Sequence, residues 1–282
     1  MINVCIVGPG LIGGSLGMAL RRRRSKGKRA YGVTGLGRSR SHLNTARRFH
    51  ALDDASTAPA SVIPAADVVV LCLPVQTIVP FAKRILPLMK KGAVLTDVGS
   101  VKGPVVDQLK PLLAKRPDLT FVGGHPLAGS EKSGVEHARA DLFKGAICIL
   151  TKDGSKKKTN VIERLWRDAG ARCLHMTARE HDHVVAMTSH LPHLLAFSLF
   201  QLVHSSSKHE PRLRAIAARS FNDMTRITAS DPTLWSGIIA ANHQEIKKAV
   251  RHFSATLTSL LSSPAPRIRK MLTHLSQEKK KW

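Results

Sequence analysis

The segment "NVCIVGPGLIGGSLG" at 3–17 constrains the fold more than any other stretch of the chain. An apolar, β-branched run at 3–8 ends in Gly8-x-Gly10-x-x-Gly13, and a helix-like stretch follows it. In such an arrangement Gly8 permits the tight turn, Gly10 lets a pyrophosphate approach the backbone, and Gly13 lets helix and strand pack closely. The phosphates then face the helix N-terminus, where unpaired N–H groups concentrate. The spacing alone is a weak sign. The strand before it and the helix after it make it a dinucleotide-binding turn, with Leu11 and Ile12 opening the helix beside the cofactor.

Short β-branched runs continue to alternate with amphipathic stretches. Strands are expected at 3–8, 30–37, 67–74, 93–99, 120–124, 146–151 and 171–176, and helices around 11–24, 39–50, 77–89, 103–115 and 159–169. That alternation predicts an α/β fold, a Rossmann-type doubly wound and mostly parallel sheet. After residue 176 the strand signals stop and long helical patterns take over. The expected division is therefore a dinucleotide-binding domain over 1–176 and an all-helical C-terminal domain over 177–282. Met187, Leu191, Leu194, Leu195, Phe197 and Phe200 make one of these helices apolar nearly all round, which predicts burial on more than one side.

The end of the second strand bears on the choice of cofactor. An acidic residue there would hold the ribose 2′-hydroxyl of NAD, but the chain reads "VTGLGRSRSHL", with Gly37 at that place and Arg38, Ser39 and Arg40 after it. Without a carboxylate nothing repels a 2′-phosphate, and Arg38 with Ser39 offers donors to it, so NADP is favoured over NAD. Leu73 and Pro74, where the third strand ends, are expected to lie along the cofactor.

Ligands of open α/β sheets lie beyond the carboxyl ends of the strands. Two sequences there carry candidate chemistry. "LTDVGSVKG" (95–103) places Ser100 and Lys102 in one loop, and "FVGGHPLAGSEKSG" (121–134) places His125 in a glycine-flanked turn stiffened by Pro126. A neutral imidazole beside a nicotinamide is a natural general base for an alcohol losing hydride, and a serine hydroxyl nearby can orient that alcohol.

Composition narrows the alternatives. The 44 Lys and Arg outnumber the 19 Asp and Glu, a formal net charge of +25 that favours anionic partners, nucleic acid included. Aromatic residues make up only 4%, however, and the basic clusters at 21–29, 152–158 and the C-terminus do not alternate with stacking rings. They read as solvated faces, and nucleic-acid binding is not expected. No apolar run approaches the roughly 18 residues of a membrane span. The N-terminus lacks signal-peptide order, and Cys5, Cys72, Cys148 and Cys173 are far apart in apolar runs. A cytoplasmic protein with reduced thiols is expected. His190 and His193 have a spacing that suggests a metal pair, but no third ligand accompanies them, so no metal is expected.

Together "TDVGSVKG", "GGHPLAGSEKSGV", "SHLPH" and "DMTRITASDPTLW", in this order along the chain, resemble the prephenate/arogenate dehydrogenases of tyrosine biosynthesis, over nearly the whole chain. The resemblance implies oxidative decarboxylation. Hydride leaves the ring carbon bearing the 4-hydroxyl for NADP or NAD, the ring carboxylate departs as CO₂, and the ring aromatises. It makes His125 the acceptor of the 4-hydroxyl proton, Ser100 its neighbour, and Arg226 the partner of a substrate carboxylate. His193 would face the substrate with Ser189 close by, and Ser130 and Glu131 would line the pocket mouth, Glu131 suiting an ordinary surface ion pair equally well. Trp235 follows the helix start Asp231-Pro232 and suits a core or interface aromatic as well as a ligand contact.

The resemblance also implies a homodimer through the helical domain, with tyrosine as a competitive occupant of the site. The chain ends soon after that domain, which leaves no expected room for a fused mutase or a regulatory domain. Prephenate and arogenate differ by a pyruvyl ketone against an amino-acid side chain, and no residue decides between them. Two other readings are a dinucleotide-sensing nucleic-acid binder, opposed by the joint presence of His125, Ser100 and Arg226, and a different reductase of the same two-domain plan, opposed by the histidine loop.

Overall fold

The computed structural model describes residues 1–129, 132–151 and 156–282. Eleven strands and thirteen α-helices occur among them. The strands are β1 (Ile2–Val7), β2 (Arg24–Ser25), β3 (Lys28–Arg29), β4 (Tyr31–Leu36), β5 (Asp54–Ser56), β6 (Val68–Leu71), β7 (Val94–Asp97), β8 (Thr120–Val122), β9 (Gly124–Pro126), β10 (Ile147–Thr151) and β11 (Arg172–Met176). The first six helices, α1 (Leu11–Arg22), α2 (Arg40–Arg48), α3 (Pro59–Val62), α4 (Val75–Ile85), α5 (Gly103–Ala114) and α6 (Lys156–Asp168), alternate with strands. The last seven follow without strands: α7 (Ala178–Val185), α8 (Leu191–Ser206), α9 (Arg212–Ala215), α10 (Arg219–Thr225), α11 (Pro232–Ala241), α12 (His243–Leu261) and α13 (Ala265–Lys279).

The main sheet is parallel throughout, in the order β5-β4-β1-β6-β7-β8. Its central strands are buried on both faces, which is why Val68–Leu71 reads as an unbroken apolar run. Leu16, Leu20, Tyr31, Ile162 and Trp166 fill one face. Ile78, Ile85, Leu95 and Leu109 fill the other, joined there by Trp235 and Ile238 from α11. At Gly237 the Gln76 side-chain amide of α4 lies against α11, 2.3 Å from where a Cβ would stand. The helical part is thus seated directly on the sheet layer.

Beyond β8 the chain departs from the expected single sheet. Strands β9, β10 and β11 form a separate three-stranded sheet in which β9 runs antiparallel to β10. His125 therefore lies within a short strand, opposite Ile149, and not in a turn. The strand β5 and the β2–β3 hairpin were not expected either. The hairpin closes over Lys26 and Gly27, both at positive φ, as a type I′ turn requires. Residues 22–29 are exposed, as a solvated basic face would be, but three cations of the run are paired: Arg21 and Arg29 with Asp53, and Arg23 with Asp168.

The long helical pattern around "SHLPH" is likewise broken. A wide π turn, Ala186–His190, separates α7 from α8. Pro192 lacks an N–H and crowds the preceding turn, and a widened register absorbs both effects. Of the apolar positions on α8, Leu191 and Ala196 are buried, whereas Met187 in the π turn and Phe200 remain about half exposed in the single chain, at 47% and 44%. Phe253, Leu257 and Leu261 of α12 are exposed as well. No helix among the described residues is long and apolar enough to cross a membrane.

Candidate functional site

The glycine turn links β1 to α1. Gly8 has φ +80°, and a Cβ there would strike the Cys72 carbonyl oxygen at 2.5 Å and approach Leu73 at the end of β6. On Gly13 a Cβ would collide with the Gly8 oxygen at 2.7 Å, whereas Gly10 faces open space. No side chain caps α1, so its first N–H groups are left for an acceptor outside the helix. These features fit a pyrophosphate at Gly10, flanked by Leu11 and Ile12 and by half-buried Leu73 and exposed Pro74 at the start of α4. Arg38 and Arg40 are exposed, and the Ser39 hydroxyl caps α2 by accepting from the His42 N–H at 3.4 Å.

Two buried carboxylates hold the rest of the site together. Asp97, at the end of β7, accepts the Gly99 N–H at 2.9 Å and the Gly124 N–H at 3.2 Å, and forms an ion pair with the wholly buried Lys102. The loop carrying half-buried Ser100 is thereby fastened to the residue preceding His125. Asp182, on α7, accepts the Lys102 and Gly103 N–H groups at 2.7 Å each, capping α5 from the helical part.

The histidines form a connected cluster. His181, which is fully buried, donates from Nδ1 to Asp182 Oδ1 at 2.7 Å, so its Nε2 is the acceptor that meets His125 Nδ1 at 2.8 Å. Asn242, between α11 and α12, donates its amide to the Asp182 carbonyl at 2.8 Å and to His190 Nδ1 at 3.1 Å. His190 Nε2 then carries a proton and has no partner among the described residues. His193 donates from Nδ1 to the Ser189 carbonyl at 3.0 Å and stacks on Trp235 at 3.6 Å between ring centroids. Trp235 is buried and belongs to both surroundings, core and histidine cluster.

All four rings are held below the ordinary imidazole pKa. For His125 burial is the main cause, reinforced by His181, Lys102 and His190, and the shift is large. Burial also lowers His181, against the opposing pull of Asp182. His190 is lowered to about 4 by burial and His181, and His193 falls chiefly through burial. The cluster is therefore a set of neutral rings at neutral pH, able to accept protons but reluctant to keep them.

The remaining expected residues are placed less tightly. Arg226 opens a short 3₁₀ turn, Arg226–Ala229, that packs against α8. It is exposed, and its guanidinium has no ion-pair partner among the described residues. Ser130 and Glu131 lie outside the described residues. Sequence reasoning missed His181, Asp182 and Asn242, although a signal existed for the first two. The buried stripe of α7, Ala178, His181, Asp182 and Val185, follows helical periodicity and carries two polar residues where apolar ones belong. No group of three potential metal ligands occurs among the described residues.

Fold and site together define a dinucleotide-dependent oxidoreductase built from a Rossmann layer and a helical layer. Residues 16–175 match the family model described as prephenate dehydrogenase, nucleotide-binding domain, and residues 177–265 match prephenate dehydrogenase, dimerization domain. The chain belongs to the prephenate dehydrogenase family. It is 36% identical over 248 residues to a prephenate dehydrogenase of Bacillus subtilis, covering 86% of this chain and 65% of that protein. It is 33% identical over 270 residues to a cyclohexadienyl dehydrogenase of Zymomonas mobilis, covering 93% and 88% respectively. The structure of prephenate dehydrogenase from A. aeolicus in complex with hydroxyphenyl propionate and NAD⁺ superposes with a TM-score of 0.88 at 36% identity, over 99% of this chain and 96% of that one.

Proposed function

We propose that the chain catalyses the NAD(P)-dependent oxidative decarboxylation of prephenate to 4-hydroxyphenylpyruvate, with arogenate, converted to tyrosine, as the alternative substrate. The observation that carries this reading is His125. It is a buried neutral imidazole whose Nδ1 is occupied by His181, leaving Nε2 to accept, and Asp97 fastens it to the Ser100 loop at the carboxyl edge of the sheet. The dinucleotide, held by Gly8, Gly10 and Gly13, supplies the hydride acceptor when bound.

The protein's own groups handle the proton and the substrate's charges. As the ring carbon loses hydride, His125 Nε2 takes the 4-hydroxyl proton and Ser100 orients the oxygen. Breakage of the bond to the ring carboxylate releases CO₂ and returns an electron pair to the ring. The oxygen becomes phenolic and recovers the proton held at Nε2, so the base is restored without net proton release. Arg226 pairs with a substrate carboxylate in a bidentate fork, and His193, Ser189 and Trp235 contact the substrate from the helical part.

NADP is the favoured cofactor on this reading, because no acid follows β4 and Arg38, Ser39 and Arg40 stand at the start of α2. The division falls at 176/177. The exposed apolar faces of α8 and α12 support a homodimer, tyrosine acts as a competitive occupant, and the four free thiols suit a cytoplasmic setting. An assay crossing prephenate and arogenate with NAD and NADP, run on the parent and on His125→Asn, tests the proposal. We expect the variant to lose about 10²–10⁴ in kcat with substrate still bound. Near-parental kcat in His125→Asn would return the ring to a structural role.

A further inference from the structure

The contacts of His125 run on to a second ring and a carboxylate that the chemistry above does not use. Asp182 can only accept, and two backbone N–H groups at the start of α5 fix both of its oxygens in place. His181 must therefore donate to it from Nδ1, which leaves His181 Nε2 as a bare acceptor 2.8 Å from His125 Nδ1. His125 in turn must carry its proton on Nδ1. A free histidine side chain favours the opposite tautomer, with the proton on Nε2, in which the nitrogen left for the substrate would be a donor.

We propose that His181 and Asp182 are positioning residues that lock His125 in the Nδ1–H tautomer, so that its bare Nε2 meets the substrate hydroxyl. Both come from α7 of the helical part, and the His125 strand belongs to the sheet part. Asp182 holds the N-terminus of α5 with the same carboxylate, and α5 directly follows the Ser100 loop. One side chain thus sets the tautomer of the base and the position of the loop beside it. The arrangement also fixes the plane of the ring, because the two imidazoles meet edge to face at 66°. The charged and titratable groups around His125 are Lys102, His181, His190 and, at its backbone, the Cys148 thiol, and of these only His181 touches its ring nitrogen.

The inference rests on His125 being the base, and the experiment separates the two claims. His181→Gln can preserve both hydrogen bonds, since its amide oxygen accepts from His125 and its NH₂ donates to Asp182, whereas His181→Leu can preserve neither. We expect His181→Leu to lower kcat about 10–100-fold with KM changed by less than about three-fold, and His181→Gln to restore kcat to within about three-fold of the parent. In protein labelled with ¹⁵N at histidine, the His125 signals should report a proton on Nδ1 in the parent and in His181→Gln, and on Nε2 in His181→Leu.

Parental kcat in a folded His181→Leu, or equal loss in His181→Gln and His181→Leu, would overturn the proposal. So would a His125 that carries its proton on Nε2 in the parent, a measurement that stands even if His181→Leu does not fold. If His125→Asn keeps its kcat, the assignment of the base fails instead, whatever the tautomer.

Discussion

Replacing Asp182 by alanine removes the acceptor shared by three donors. Two of these, the Lys102 N–H and His181 Nδ1–H, are buried, and the third, the Gly103 N–H, lines an open groove that water can enter. A buried donor left without a partner costs about 1–3 kcal/mol, and a carboxylate lost from a helix N-terminus costs about 0.3–1 kcal/mol more. Discounting the Gly103 group, Asp182→Ala should destabilise the protein by about 3–5 kcal/mol, a large part of the roughly 5–15 kcal/mol that holds a folded domain together. Asp182→Asn should cost roughly half as much, because one oxygen remains while the new NH₂ faces an N–H. Urea unfolding at one fixed protein concentration measures the difference. Asp141→Ala is a suitable control, since its pair with Arg139 spans 3.5 Å at 70% and 67% exposure and should contribute less than about 0.5 kcal/mol. A loss below about 1 kcal/mol in Asp182→Ala would refute the reasoning and imply that water or a rearranged loop satisfies all three donors.

Two further outcomes follow from the same structure. Gly37→Asp combined with Arg38→Ala should shift relative kcat/KM from NADP toward NAD by about 1–3 kcal/mol; the new Cβ stands 3.1 Å from a Leu43 methyl, which must give slightly, and an unchanged ratio would show that Arg38 does not read the cofactor. The four depressed histidines should make stability fall with acid: the unfolded chain binds protons below about pH 6.5 that the folded chain refuses, so their contribution is complete above that pH and is lost toward pH 4. His190 alone, lowered to about 4, accounts for about 3 kcal/mol of this loss, and urea midpoints that do not change between pH 7 and pH 4 would contradict it.

The sheet was legible because burial on both faces writes itself as continuous apolar runs, and the glycine turn because only glycine tolerates the approach of Cys72 and Gly8 to the turn. Short elements held by partners elsewhere were not. β5 is three residues, Asp54–Ser56, ordered by pairing with β4. β9 is Gly-His-Pro, a poor strand by propensity, held by pairing with β10, by Asp97 on the Gly124 N–H and by Thr151 on the Gly123 N–H. The site was legible in part for the same reason. His125 stands out against glycines, whereas His181 and Asp182 sit in a charged-looking helix start, where polar residues pass for surface unless the helical stripe is traced from Ala178 to Val185.

The scarcity of acids acquires a physical meaning from where they are used. Asp97 and Asp182 are buried and anchor the loops of the site. Asp53 gathers Arg21, Arg29 and the Val33 N–H, and Asp168 gathers Arg23, Arg164 and the Tyr31 hydroxyl. These four carboxylates hold the fold and the site together, and the surplus of +25 follows from 44 Lys and Arg against 19 Asp and Glu. A field of that sign speeds encounters with anionic ligands without altering what happens once they are bound. On the proposed function the chemistry itself falls to neutral rings held by two buried carboxylates, and the surface charge has no part in it.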